Sequence, residues 1–248
     1  MSSPAEFLDC PDGRRIAFRQ EAGRGPWVLW LGGFASDMTG TKAQTLADWA
    51  AETGRRFIRF DYSGHGASSG EFHDGTIGAW RQDALEVLDR LVEGPAVLVG
   101  SSMGGWLACL LALARPERIA GLVLIAPAAD FTERLIEPAL TAEQRRRIER
   151  DGVWERSSAY EPAGIPITRG LLEEGRAWSI LAGPVAIEAP VRVLQGGRDE
   201  DVPWTHAMAL FEALRTTDAV FSLIRDGDHR LSRPQDLARI VAAVSELV

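Results

Sequence analysis

Gly100-Ser101-Ser102-Met103-Gly104 follows the apolar run 95–99 and leads into the helical stretch 106–114, so Ser102 falls at the tip of a strand-to-helix turn. That is the geometry of a nucleophile elbow. A serine hydroxyl is a poor nucleophile until a base reaches it, and a tight turn lifts its oxygen clear of the sheet edge toward that base. Glycines two before and two after the serine remove side chains that would crowd the turn. The competing reading of Ser102 is a helix N-cap after a buried strand, and the partners elsewhere in the chain decide between the two.

Around this turn, strand-like and helix-like segments alternate, which predicts a mostly parallel eight-stranded sheet with helices on both faces, an α/β fold. Two antiparallel strands open it, near 6–9 and 15–20, joined at Pro11-Asp12-Gly13, a turn signal. A buried strand follows at 27–31 and further strands at 57–60, 95–99, 119–126, 191–195 and 219–224, with helices at 41–52, 77–92, 106–114, 204–214 and 234–247. Between 127 and 189 the alternation stops. Charged helical fragments there are interrupted by Gly152, Pro162, Gly164, Pro166, Gly175 and Gly183. The organisation expected is a core of 1–126 and 190–248 carrying a helical cap, 127–189, inserted after the sixth strand. An insertion leaving the carboxyl end of a parallel sheet covers the place where ligands bind, and so covers Ser102. The basic cluster within 144–150 is interleaved with Glu143, Glu149 and Asp151 and reads as a solvated helix face.

A chain of 248 residues is long enough for one large α/β domain. Its net charge is −8, with Lys and Arg scattered, which argues against a nucleic-acid or anionic-membrane surface. Two cysteines, Cys10 and Cys109, offer no disulfide framework and no metal-ligand spacing. Residues 1–9 carry no targeting pattern, and no apolar run is long enough to span a bilayer, so no stable membrane anchoring and a reduced, cytoplasmic setting are expected.

A serine nucleophile needs a base, an acid to orient the base, and donors for the oxyanion. Of four histidines, His65 lies in a glycine-rich loop before the serine, His73 in the loop beyond, and His206 on a predicted helix. His229 alone follows the last strand, at the sheet edge where Ser102 emerges, and is the expected base. The acid expected is Asp199, in the loop after 191–195. Asp201 reads better as a cap or first-turn charge of the next helix, Asp228 abuts the histidine too closely to face Nδ1, and Asp130 is a weaker substitute. The backbone amides of Met103 and Phe34 are the expected oxyanion donors. Gly32 and Gly33 before Phe34 would let the backbone approach the ligand. Trp106, Trp154, Trp178 and Trp204 are candidates for lining an acyl groove, against a core role for each. No metal or cofactor is required.

The order Ser102, Asp199, His229 is that of α/β-hydrolases, which the chain resembles over nearly its whole length. More narrowly, Met38-Thr39-Gly40-Thr41-Lys42-Ala43, Phe60-Asp61-Tyr62-Ser63-Gly64, Gly100 through Trp106, Val153-Trp154, Val202-Pro203-Trp204 and Asp228-His229-Arg230 resemble the abhydrolase-domain-containing depalmitoylase branch. That branch comprises palmitoyl-protein thioesterases and acyl-glucuronide esterases. The resemblance implies the same triad and a small-molecule acyl ester or an S-acylated substrate. Since a mitochondrial leader is not seen here, the branch's compartment is not expected to carry over.

Overall fold

The structure, a computed structural model, describes residues 4–156 and 164–248. Ten strands are described: β1 (Glu6–Asp9), β2 (Arg15–Glu21), β3 (Arg24–Leu31), β4 (Arg55–Phe60), β5 (Ala96–Ser101), β6 (Ile119–Ile125), β7 (Val153–Arg156), β8 (Ile165–Thr168), β9 (Val191–Gly196) and β10 (Ala219–Ile224). Eight of them form one sheet in the order β1-β2-β4-β3-β5-β6-β9-β10, antiparallel through β1, β2 and β4 and parallel thereafter. The helices are α1 (Thr41–Thr53), α2 (Ile77–Leu91), α3 (Met103–Ala114), α4 (Glu137–Ala139), α5 (Ala142–Asp151), α6 (Arg169–Gly175), α7 (Trp204–Ala213) and α8 (Pro234–Ser245). Among the described residues, no helix is long and apolar enough to cross a membrane.

The sheet is buried on both faces because alternate residues of each central strand feed opposite cores. Leu29, Leu31 and Leu98 join Trp80 of α2 and Trp106 of α3 on one side. Val28, Trp30, Val97 and Val99 join Leu46 of α1 and Ile240 of α8 on the other. Local signals set the helix ends: the Thr76 hydroxyl accepts from the Ala79 amide at the start of α2, and Gly54 takes φ 66° after α1.

The chain between β6 and β9 lies outside the eight-stranded sheet, and it is not wholly helical as the sequence suggests. After a π-helical turn at 132–136, α4 and α5, the strands β7 and β8 pair antiparallel with Trp154 opposite Ile167. Val153, Trp154, Ile165 and Ile167 favour extended backbone. Each strand is only four residues long and β8 contains Pro166, so neither stands out by periodicity. Three groups of contacts hold the later part of this segment, two against core helices and one against the segment's own start just past β6. The Glu174 carboxylate accepts from the Gly78 amide at 3.1 Å and from the Trp178 indole at 2.5 Å. The Trp106 indole donates to the Trp178 carbonyl at 3.2 Å. Asp130 accepts from Ser179, Ile180 and Leu181.

Candidate active site

The elbow has the backbone its sequence demands. Ser102 sits at φ 55°, ψ −118°, a strained conformation for a residue with a side chain. Its amide donates to the Ile125 carbonyl of β6 at 2.9 Å, and its own carbonyl accepts from Gly105 and Ala128. A Cβ on Gly100 would strike the Gly104 carbonyl, and one on Gly104 would strike the Leu31 carbonyl of β3. Both flanking glycines are therefore places where α3 and β3 press backbone to backbone against the turn. Met103 opens α3, so its amide is one of the donors with no partner inside the helix.

His229 lies in the loop after β10, and its Nε2 is 3.1 Å from Ser102 Oγ. Its Nδ1 is 2.8 Å from Asp199 Oδ2, in the loop after β9. The Asp199 side chain is fully buried. Its Oδ1 accepts from the amides of Asp201 and Val202 at 3.0 and 2.7 Å, and its Oδ2 also accepts from Gln195 Nε2 at 3.0 Å. With the carboxylate held this way, the histidine proton belongs on Nδ1, leaving the Nε2 lone pair toward the serine. Sequence reasoning missed Gln195. The signal available in the sequence was a glutamine closing the mostly apolar strand run that begins at Val191; the structure leaves it no exposure.

The other histidines are engaged elsewhere. His206 Nε2 pairs with the Ala129 carbonyl at 2.7 Å, His73 is exposed beside Asp74, and His65 is buried among the Tyr62, Phe72 and Trp80 rings. Asp228 turns away from the ring, as its position suggests, and accepts from the Leu231 amide. Asp201 differs from expectation: it does not cap α7, which has no side-chain cap, but pairs with Arg156 of β7 at 3.1 Å. Asp199, Asp201 and His229 hold possible ligand atoms within 4.8 Å of one another. Both Asp199 oxygens and His229 Nδ1 already make the hydrogen bonds just described, so these residues fit a hydrogen-bonded relay better than a metal centre. Cys109 is no rival nucleophile, since burial pushes its thiol up to about 12.

Phe34 is fixed by ring contacts with Phe72, Trp80 and Phe131 at 5.1, 5.7 and 5.6 Å. Gly33, immediately before it, touches the elbow: a Cβ there would lie 3.4 Å from Ser102 Cβ. The four tryptophans separate in role. Trp106 is fully buried, packs edge-on against Phe131 and bonds the Trp178 carbonyl, so it joins the inserted segment to the core and does not line a groove. The helix α3 that carries it is buried on nearly every side, which removes any open face for Trp106. Trp178 is half-buried under the Arg81 guanidinium, Trp154 is half-buried in β7, and Trp204 is exposed at the start of α7.

Residues 27–150 match a family model described as serine aminopeptidase, S33. The palmitoyl-protein thioesterase ABHD10, mitochondrial, of Homo sapiens is 35% identical over 243 residues, covering 98% of this chain and 79% of that protein. Among solved structures, a putative hydrolase from Agrobacterium vitis S4 superposes with a TM-score of 0.94 at 46% identity, covering 99% of this chain and 100% of that one. Mouse alpha/beta hydrolase domain-containing protein 10 superposes with a TM-score of 0.91 at 34% identity, covering 99% and 98%. Similarity of this extent runs through the sheet, the elbow and the inserted segment alike, and the chain belongs to the α/β-hydrolase family that includes ABHD10.

Proposed function

We propose that this protein is a serine-dependent hydrolase of carboxylic esters and S-acyl thioesters, working through an acyl-enzyme. The observation that carries the reading is the continuous chain from Asp199 through His229 to Ser102, at 2.8 and 3.1 Å, ending on a serine held at positive φ. Similarity to proteins named palmitoyl-protein thioesterase supports the acyl-thioester class.

In this reading, His229 Nε2 takes the Ser102 proton as Oγ attacks the acyl carbonyl. The Met103 and Phe34 amides donate to the tetrahedral oxyanion. Collapse breaks the bond to the thiol or alcohol, which leaves with the proton from His229, and water then enters by the same route to release the acid. Asp199 fixes the Nδ1 tautomer and stabilises the imidazolium without itself taking the proton. Residues 127–189 act as the cap over this chemistry, with Trp154, Trp178 and Trp204 as the candidates for contact with an acyl chain. The substrate is a small acyl ester or an S-acylated molecule. Cys10 and Cys109 are free and buried, which suits a reducing compartment. The cytoplasm is the setting proposed, although the ABHD10 relatives are named mitochondrial.

The test is turnover of p-nitrophenyl esters and acyl thioesters of two to sixteen carbons, with Ser102→Ala alongside. Serine-dependent turnover that favours medium and long acyl groups is expected. A steep preference for acetyl would point instead to a short-chain carboxylesterase, and stoichiometric binding without turnover to a ligand-binding protein on this fold.

A further inference from the structure

The stretch Met38-Thr39-Gly40-Thr41-Lys42-Ala43 puts a lysine in the first turn of α1, and the reaction described above makes no use of it. A cation at that place is opposed by the positive end of the helix dipole. The turn carries no acidic residue, and Gly40 supplies no side-chain cap. The ammonium is held instead from the loop after β10: Lys42 Nζ donates to the Arg230 carbonyl at 2.6 Å, from a position 188 residues away in sequence. Burial, then the Arg230 charge, push the lysine pKa down to about 8 against the pull of Asp228, so the side chain is still an ammonium at pH 7.

That carbonyl belongs to the residue directly after His229. The Arg230 carbonyl and the Leu231 amide are the two ends of one planar peptide unit, and both ends are held. Lys42 Nζ and, at 3.0 Å, Ser232 Oγ donate to the carbonyl, while the amide donates to Asp228 Oδ1 at 2.9 Å. The turn needs such ties because Leu231 is fully buried at φ 45°. A left-handed leucine is strained and persists only where its surroundings enforce it. Asp228 and Ser232 belong to the turn itself, whereas Lys42 reaches it from another element. That element is firmly seated. Just before α1, the Met38 amide donates to Asp61 Oδ1 at 2.6 Å and the Met38 carbonyl accepts from Arg59 of β4 at 3.0 Å, both partners being buried. Ala43, Leu46, Ala47 and Ala50 then bury the helix in the core on that face of the sheet.

We propose that Lys42 is a positioning residue of the reaction: its ammonium clamps the turn after β10 so that His229 Nε2 stays within reach of Ser102 Oγ. This rests on the serine-hydrolase reading given above. The segment 32–42 then serves both sides of the chemistry, with the Phe34 amide near one end for the oxyanion and Lys42 at the other for the base. Without the ammonium the strained turn loses its tie to α1, and the imidazole samples positions from which it cannot take the serine proton. A misplacement of about 1 Å in such a geometry costs on the order of 10²-fold in rate. The loss falls on proton transfer in the transition state, hence on kcat and not on KM.

The test measures kcat and KM on p-nitrophenyl octanoate for wild type, Ser102→Ala, Lys42→Met and Lys42→Cys, the last before and after alkylation with bromoethylamine. Folded, reactive protein is counted by fluorophosphonate titration, so rates are expressed per titrated serine. Aminoethylation returns an ammonium at the length of a lysine, its completion at position 42 is read by peptide mass, and wild type taken through the same reagent controls for Cys10 and Cys109. Lys42→Met keeps the aliphatic stem, and its kcat should fall by roughly 10- to 100-fold with KM within about twofold of wild type. Lys42→Cys should match it, and aminoethylation should restore most of the loss. An unchanged kcat in Lys42→Met, a loss that appears in KM instead, or a loss that complete aminoethylation does not reverse would overturn the inference while leaving the hydrolase reading in place. Absence of Ser102-dependent turnover in wild type would overturn the hydrolase reading and the inference with it.

Discussion

Asp130 gives the sharpest test of what is structural and what is catalytic near the elbow. It lies just past β6, fully buried, at φ 54°. Its carboxylate accepts from Ser179 Oγ at 2.7 Å and from the Ile180 and Leu181 amides at 2.9 and 2.8 Å, with Arg134 at 3.6 Å. Asp130→Ala removes the acceptor and leaves two amides without a partner. A hydrogen bond to a charged group contributes about 1.5–3 kcal/mol net. Because three of them share one carboxylate they do not add fully, and the loss expected is about 4 kcal/mol. Alanine at positive φ adds about 1 kcal/mol of strain that asparagine largely avoids. At about 2–4 °C per kcal/mol for a chain of this size, Asp130→Ala should lower the melting midpoint by about 10–20 °C. Asp130→Asn, which keeps one acceptor oxygen and tolerates the backbone, should lose about half as much. Far-UV circular dichroism melts measure both. Well below the melt, Ser102 should still be labelled by a fluorophosphonate probe, since Asp130 is outside the chain from Asp199 to Ser102. Unchanged stability with labelling lost would refute the reasoning and give Asp130 the role assigned to Asp199.

Two further outcomes follow from the same contacts. Asp199→Asn leaves the shape of the loop but removes the acceptor that fixes the His229 tautomer, so kcat should fall by about 10³–10⁴; steady-state rates on a p-nitrophenyl ester measure this, and a fall below tenfold would count against the relay. His65 has a folded-state pKa depressed to about 4 by burial, against 6.5 when free. Its contribution to stability is present above pH 6.5 and is lost as pH falls through 4, because the unfolded chain binds the proton first. Between pH 7 and 4.5, wild type should therefore lose about 2 kcal/mol more than His65→Gln by urea denaturation; parallel losses in the two proteins would show that His65 is not buried neutral.

Much of this architecture can be read from the chain because its determinants are local. Parallel strands buried on both faces appear as unbroken apolar runs, such as 95–99 and 119–126, and these matched β5 and β6 within two residues. The serine at the strand-to-helix turn could be picked out by glycine spacing, and the histidine and aspartate that the structure hydrogen-bonds in line with it by lying in loops that leave the same end of the sheet. What escaped depends on contacts distant in sequence. The Glu174 carboxylate on Gly78, Asp130 on the 179–181 segment and Arg156 on Asp201 carry no local signature. The hairpin of β7 and β8 escaped because four-residue strands, one with a proline, give too short a period to register. Trp106 was placed among the groove candidates because helix spacing does not reveal which face is covered when a whole helix is buried. His65 stands in a glycine-rich turn that looks exposed on paper; the rings of Tyr62, Phe72 and Trp80 that enclose it come from the turn itself and from the helix beyond.

The central claim is that Ser102 carries the acyl group. Mixing the protein with p-nitrophenyl octanoate, quenching in acid at early times and mapping the product by peptide mass spectrometry tests it directly. The account predicts one octanoyl group, attached to the peptide containing Ser102 and absent from Ser102→Ala. An octanoyl group on any other residue, or undiminished p-nitrophenol release by Ser102→Ala, would contradict it.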